Sequence, residues 1–123
     1  MRYLTDRKRA TGLGSAKSGT EHFWNMTLSS IGLLVLVPLF IFTFGPQLGA
    51  PYEEVVAYFA RPFPAIVAGL TLTVGMLHFK NGAQVAIEDY VGGLTRKIAI
   101  AVTVCLSYAL IGAGLYALVR LAL

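Results

Sequence analysis

The sequence predicts an all-α membrane protein of three transmembrane helices, and composition and patterning both point there. Of 123 residues, 56% are hydrophobic and only 13% charged, whereas charged residues fill about a quarter of an ordinary soluble domain. The excess lies in three long, nearly uncharged runs: Phe23 to Phe44, Phe63 to Phe79 with a continuation from Lys80 to Ile87, and Ile98 to Val119. Each reaches or approaches the roughly 20 residues that cross a bilayer as a helix. The expected organisation is a basic arm over 1–20 and a three-helix domain over 21–123, with spans at about 22–44, 62–87 and 97–120.

The arm is polar, and Gly12, Gly14 and Gly19 interrupt any helix, so it reads as an extended surface segment. It has no apolar h-region, and the first span begins too late and runs too long for a cleavable signal peptide. His22-Phe23-Trp24 open the first span at headgroup level, where amphipathic rings are favoured. Pro38 is expected to kink that span, and Gly45-Pro46 with Gly49-Ala50-Pro51 end it. Tyr52 to Ala60 has the pattern of a short interfacial helix. Pro62 and Pro64 open the second span, where a missing N–H costs little. Gly92-Gly93 make a short link, so the second and third helices should pack antiparallel.

Charge sets the expected orientation. Arg2, Arg7, Lys8, Arg9 and Lys17 precede the first span, and Arg96 and Lys97 precede the third. Three crossings put both groups on one side, with Glu53, Glu54 and Arg61 on the other and Arg120 at the end. The positive-inside rule then gives a cytoplasmic (or matrix) N-terminus and a periplasmic (or intermembrane) C-terminus. The net charge of +4 is explained by topology, and no nucleic-acid partner is expected. Cys105, the single cysteine, lies inside the third span and can form no intrachain disulfide.

The chemistry centres on His78, because an ionisable side chain at bilayer depth is a functional feature by default. Asp89-Tyr90 follow where the second run ends. His78 and Asp89, eleven residues apart, share one helical face about 16 Å apart along the axis. His78 has three readings: a haem ligand, a proton-relay group, or a hydrogen bond between helices. His22 begins its span near the surface, roughly half a bilayer from His78, so one iron cannot take both. Asp89 either pairs with Arg96 or Lys97 while Tyr90 anchors the interface, or the two serve a carbonyl-bearing ligand entering from the bilayer. Lys80 is expected to snorkel or to meet a partner's acid. No soluble-enzyme site is present: no metal-ligand cluster, nucleophile–histidine pair or phosphate loop.

Two stripes complete the pattern. Ala68, Thr71, Gly75, His78, Gly82 and Asp89 fall on one face of the second span, where small residues admit another helix or a flat cofactor. Ala101, Cys105, Ala109, Ala113 and Ala117 recur every fourth residue in the third, with Gly112 and Gly114 beside them. That ladder predicts tight helix packing.

The basic Gly-rich arm, Gly19-Thr-Glu-His-Phe-Trp24, three spans and His78-x10-Asp89-Tyr90 together resemble the small hydrophobic membrane-anchor subunits of succinate dehydrogenase, respiratory complex II. The resemblance covers nearly the whole chain. It implies an all-α anchor packed with a second cytochrome b-type anchor subunit around haem b, in a bacterial inner membrane or its mitochondrial equivalent. It implies that His78 ligates the haem iron and that Tyr90, with Asp89, serves the ubiquinone site. The flavoprotein and iron–sulfur subunits would be docked partners, and this chain would carry no catalytic residue of its own. One departure stands out. The family commonly has Gln-Arg shortly after the aromatic pair, where this chain reads Asn25-Met26-Thr27-Leu28, with Ser29 and Ser30 as weak substitutes. His22 is carried only as a pocket-edge residue. Two other classes compete with this reading: a non-redox scaffold or assembly protein, and a small transporter subunit with a His–Asp relay.

Overall fold

The computed structural model describes residues 3–12 and 19–123, and it is all-helical: among the described residues there is no strand. Arg2, Gly14 and Lys17 of the arm lie outside the described residues. The helices are α1 (Asp6–Thr11), α2 (Glu21–Phe44), α3 (Tyr52–Phe59), α4 (Pro62–Tyr90) and α5 (Gly93–Ala122), with a 3₁₀ turn at Gly45–Gln47. Helices α2, α4 and α5 are long and apolar enough to cross a membrane. At 1.5 Å per residue they measure about 36, 43 and 45 Å.

The described part of the arm is not fully extended, since it contains the short helix α1. Thr5 caps α1, its Oγ1 accepting from the Lys8 N–H at 3.3 Å, and Gly12 stops the helix at φ 56°. A glycine there is consistent with the expectation, because the left-handed region favours it. Helix α2 runs unbroken through Pro38, which leaves the Leu34 carbonyl without its intrahelical donor. Helices α4 and α5 are longer than the spans by a turn where they join. Asp89 and Tyr90 therefore occupy the last turn of α4, and Gly93 (φ 62°) makes the reversal.

Helix α4 is central, with α2 on one flank and α5 on the other. The α2–α4 contacts run in opposite directions along the two helices: Gly82 against Met26, His78 against Ser29, Gly75 against Leu33, Val74 against Gly32. This is an antiparallel pair, and the small-residue stripe of α4 is what lets α2 approach. Between the two alternatives the stripe left open, a helix and a flat cofactor, α2 occupies it. Thr71 donates to the Val67 carbonyl at 2.7 Å and lies 3.4 Å from that of Leu36 across the interface.

The alanine ladder does not pack within the chain. Ala101, Cys105, Ala109, Ala113 and Ala117 are all exposed, while Ser107 (1% exposed) and Gly114 face α4. Helix α5 presents the glycine–serine side because α4 offers large side chains there: Leu72 sits where a Cβ on Gly114 would be. Gly114→Ala is expected to push Leu72 from its rotamer and to cost about 1–3 kcal/mol. Gly112→Ala, which meets nothing within 4 Å, should be neutral or gain up to about 1 kcal/mol in helix propensity. Unfolding of the purified complex in denaturing detergent measures both, and equal effects would contradict the α4–α5 contact.

Helix α3 lies across the Pro62 end of the bundle. Its buried Phe59 packs on Phe44 at 6.2 Å between ring centres, and Phe44 stacks on Phe40 at 5.2 Å. Phe59 and Val67 are the buried hydrophobic residues found among those described, so the chain has almost no dry core. Its large apolar surface is suited to lipid and neighbouring subunits rather than to water.

Candidate functional site

His78 sits 12 residues before the end of α4, about 18 Å from it along the axis. Its ring is half-buried against α2, where Nδ1 is hydrogen-bonded to Ser29 Oγ at 2.9 Å. The same Ser29 oxygen lies 2.8 Å from the Asn25 carbonyl and 2.9 Å from that of Met26. Nε2 has no hydrogen-bond partner among the described residues, and no buried side-chain nitrogen or oxygen is without one. The second ring nitrogen is therefore open on the accessible flank of the helix pair. One nitrogen is engaged and one is free, at a depth where few protein groups compete for it.

The other sequence-derived residues fall apart from this centre. His22 is exposed near the start of α2, seven residues before Ser29, about 10 Å nearer the helix end. It does not meet His78. Asp89 and Tyr90 are both exposed, and neither forms a side-chain hydrogen bond or ion pair among the described residues. Of the two readings of Asp89, the pairing with Arg96 or Lys97 is absent among the described residues, and Arg96 Nε turns instead to the Val91 carbonyl at 2.7 Å. Beside this end lies an open depression of about 390 Å³ lined by Gly93, Leu94, Arg96 and Lys97. Tyr90 and Asp89 do not line it.

Lys80 is half-buried and forms no ion pair among the described residues. Its ammonium lies 5.5 Å from the ring centre of Tyr108 on α5, a cation–π contact that offsets part of the cost of a charge in the span. A larger apolar groove of about 440 Å³ lies between α4 and α5 near Pro62, lined by Ala65, Gly69, Thr73, Leu115 and others. Thr73, its polar member, already donates to the Gly69 carbonyl at 2.8 Å. No group of three or more His, Cys, Asp or Glu able to hold a bare metal ion occurs among the described residues.

Comparison with known proteins agrees with this picture. The model of the succinate dehydrogenase/fumarate reductase transmembrane subunit family matches residues 1–114. The chain belongs to this family. A relative named succinate dehydrogenase hydrophobic membrane anchor subunit, from Paracoccus denitrificans, is 49% identical over 123 residues, covering 100% of this chain and 95% of its own length. No solved structure matches. Family membership and the three long apolar helices make this a multi-pass membrane protein of the succinate dehydrogenase anchor type.

Sequence reasoning carried Ser29 only as a weak substitute for a first-span arginine and missed its contact with His78. A serine inside a helix ordinarily bonds its own preceding carbonyls, so it carries little signal by itself. The signal lay in depth: Ser29 and His78 are polar groups about 12 and 18 Å from the neighbouring ends of antiparallel helices.

Proposed function

We propose that this chain is the anchor through which succinate:ubiquinone oxidoreductase holds haem b and delivers electrons to ubiquinone. The observation that carries the proposal is the free Nε2 of His78, at mid-span in a chain of this family. An imidazole nitrogen with an exposed lone pair is the protein's usual contribution to haem iron. With His22 out of reach, the second axial ligand would come from a second cytochrome b-type anchor subunit. The haem supplies a one-electron carrier within the membrane. The chain's own part would be to offer His78 as an iron ligand and to exclude water around it.

The Ser29 contact also meets the reading of His78 as a helix-packing residue, but it accounts only for Nδ1. Tyr90 and Asp89 are assigned to the quinone end. Tyr90, at the helix terminus, has a hydroxyl without a hydrogen-bond partner among the described residues, and the residue is 90% exposed. A phenol there can donate to a quinone carbonyl, and Asp89 can orient basic groups of a neighbouring subunit. The exposed flanks of α2 and α5 suit the second anchor and lipid, and the iron–sulfur and flavoprotein subunits would dock at the Tyr90 end.

The basic residues on the arm and around Arg96-Lys97 support a cytoplasmic N-terminus and a periplasmic C-terminus. Cysteine probes near Glu53 and after Leu123 should then label from outside the cell. Labelling at Tyr3 instead would invert the orientation. The complex purified in mild detergent with its natural partners should give a b-type reduced-minus-oxidised spectrum. A complete complex without that spectrum would overturn the haem assignment.

A further inference from the structure

We propose that Ser29 is a positioning residue that selects the tautomer of His78 and thereby sets both the availability and the electron-donating strength of Nε2. The inference rests on the haem reading above. A serine hydroxyl has one proton to donate and lone pairs to accept. Ser29 Oγ has three close neighbours: two carbonyl oxygens at 2.8 and 2.9 Å and His78 Nδ1 at 2.9 Å. Carbonyls only accept, so the hydroxyl proton goes to one of them. The oxygen is then left to accept from Nδ1–H.

The opposite arrangement sends the hydroxyl proton to Nδ1. It faces the Ser29 oxygen with two carbonyls and no proton between them, and it places the ring proton on Nε2. That N–H has no acceptor among the described residues. An unpaired donor in an apolar span costs free energy, so the first arrangement prevails. In it Nδ1 bears the proton and Nε2 bears the lone pair, the form that binds iron. A second consequence concerns charge. An acceptor on Nδ1–H raises the basicity of the ligating nitrogen and favours the higher charge on the metal, as outer-shell partners of ligating histidines do generally. The serine oxygen is a neutral acceptor, held in place by its own bond to the backbone.

The test uses the assembled complex and three variants. Ser29→Thr keeps the hydroxyl and adds a methyl, Ser29→Val has the shape of that threonine with a methyl in place of the hydroxyl, and His78→Ala removes the ring. The readouts are haem affinity, haem midpoint potential and the electron paramagnetic resonance signal of the oxidised haem. With Ser29→Val, affinity should fall roughly 10–100-fold, the potential should rise, and the resonance should shift with the changed ligand orientation. Ser29→Thr should restore all three. His78→Ala should abolish the signal.

If Ser29→Val matches the parent while His78→Ala has lost its haem, the inference about Ser29 is wrong and the haem reading stands. If Ser29→Thr behaves like Ser29→Val, shape rather than the hydroxyl matters, and the inference is again wrong. An unchanged spectrum in His78→Ala overturns the haem reading itself. Ser29→Ala makes the same comparison with less bulk should valine disturb assembly, and failure of both to assemble would mark Ser29 as structural only.

Discussion

His78→Ala is expected to remove the b-type haem spectrum from the complex while leaving its subunits associated. Replacing the ring would remove the proposed iron ligand, and the other histidine, His22, is no substitute, since it lies about 10 Å nearer the helix end than Ser29 and is exposed. The structural cost is modest by comparison. The hydrogen bond lost to Ser29 is of a kind worth about 0.6–1.7 kcal/mol between membrane helices. Ser29 is not orphaned, because its hydroxyl keeps the Asn25 or Met26 carbonyl. The Gly75–Leu33 and Gly82–Met26 contacts on either side are untouched. Size-exclusion chromatography and a reduced-minus-oxidised spectrum on one preparation separate the two effects. An intact complex with an unchanged low-spin spectrum would remove His78 from the haem. His22→Ala should leave that spectrum as it is.

Tyr90→Phe should impair quinone reduction without destabilising the chain. The Tyr90 hydroxyl has no hydrogen-bond partner among the described residues, and the side chain is exposed, so removing it breaks no bond of the fold. A hydrogen bond donated to a quinone carbonyl would be worth about 0.5–1.5 kcal/mol net, or a several-fold to tenfold loss of quinone-linked turnover. Succinate oxidation with an artificial acceptor upstream of the membrane should persist, since flavin and clusters would belong to other subunits. If Tyr90 only anchors the interface, its ring suffices and the phenylalanine variant should be silent. Unchanged quinone reductase rate and inhibitor affinity would therefore reject the quinone role of that hydroxyl. Asp89→Asn should also slow quinone reduction. Asp89 has no ion-pair partner among the described residues, so its effect must act on a ligand or a neighbouring subunit.

The sequence alone determined the helices and their length, because a bilayer forces backbone groups to pair locally and any long apolar run must become a helix. It likewise determined the depth of His78, which is a count of residues at 1.5 Å each. It did not determine which face of each helix meets which neighbour. The evenly spaced ladder from Ala101 to Ala117 looked like the packing side of α5, yet within the chain it is exposed, Ser107 is buried instead, and Gly114 faces α4, where Leu72 fills the space a Cβ would take. Pairing with Arg96 or Lys97 was one of two readings open for Asp89, yet beyond the reversal at Gly93 Arg96 turns to the Val91 carbonyl. Ser29 looked, with Ser30, like a weak substitute for a first-span arginine, yet the antiparallel register of α2 on α4 puts its oxygen on His78 Nδ1. Register depends on side-chain shapes from segments some 49 residues apart, and a one-turn slide would leave every local pattern unchanged. Only the packed helices decide it, and with it which nitrogen of His78 is free.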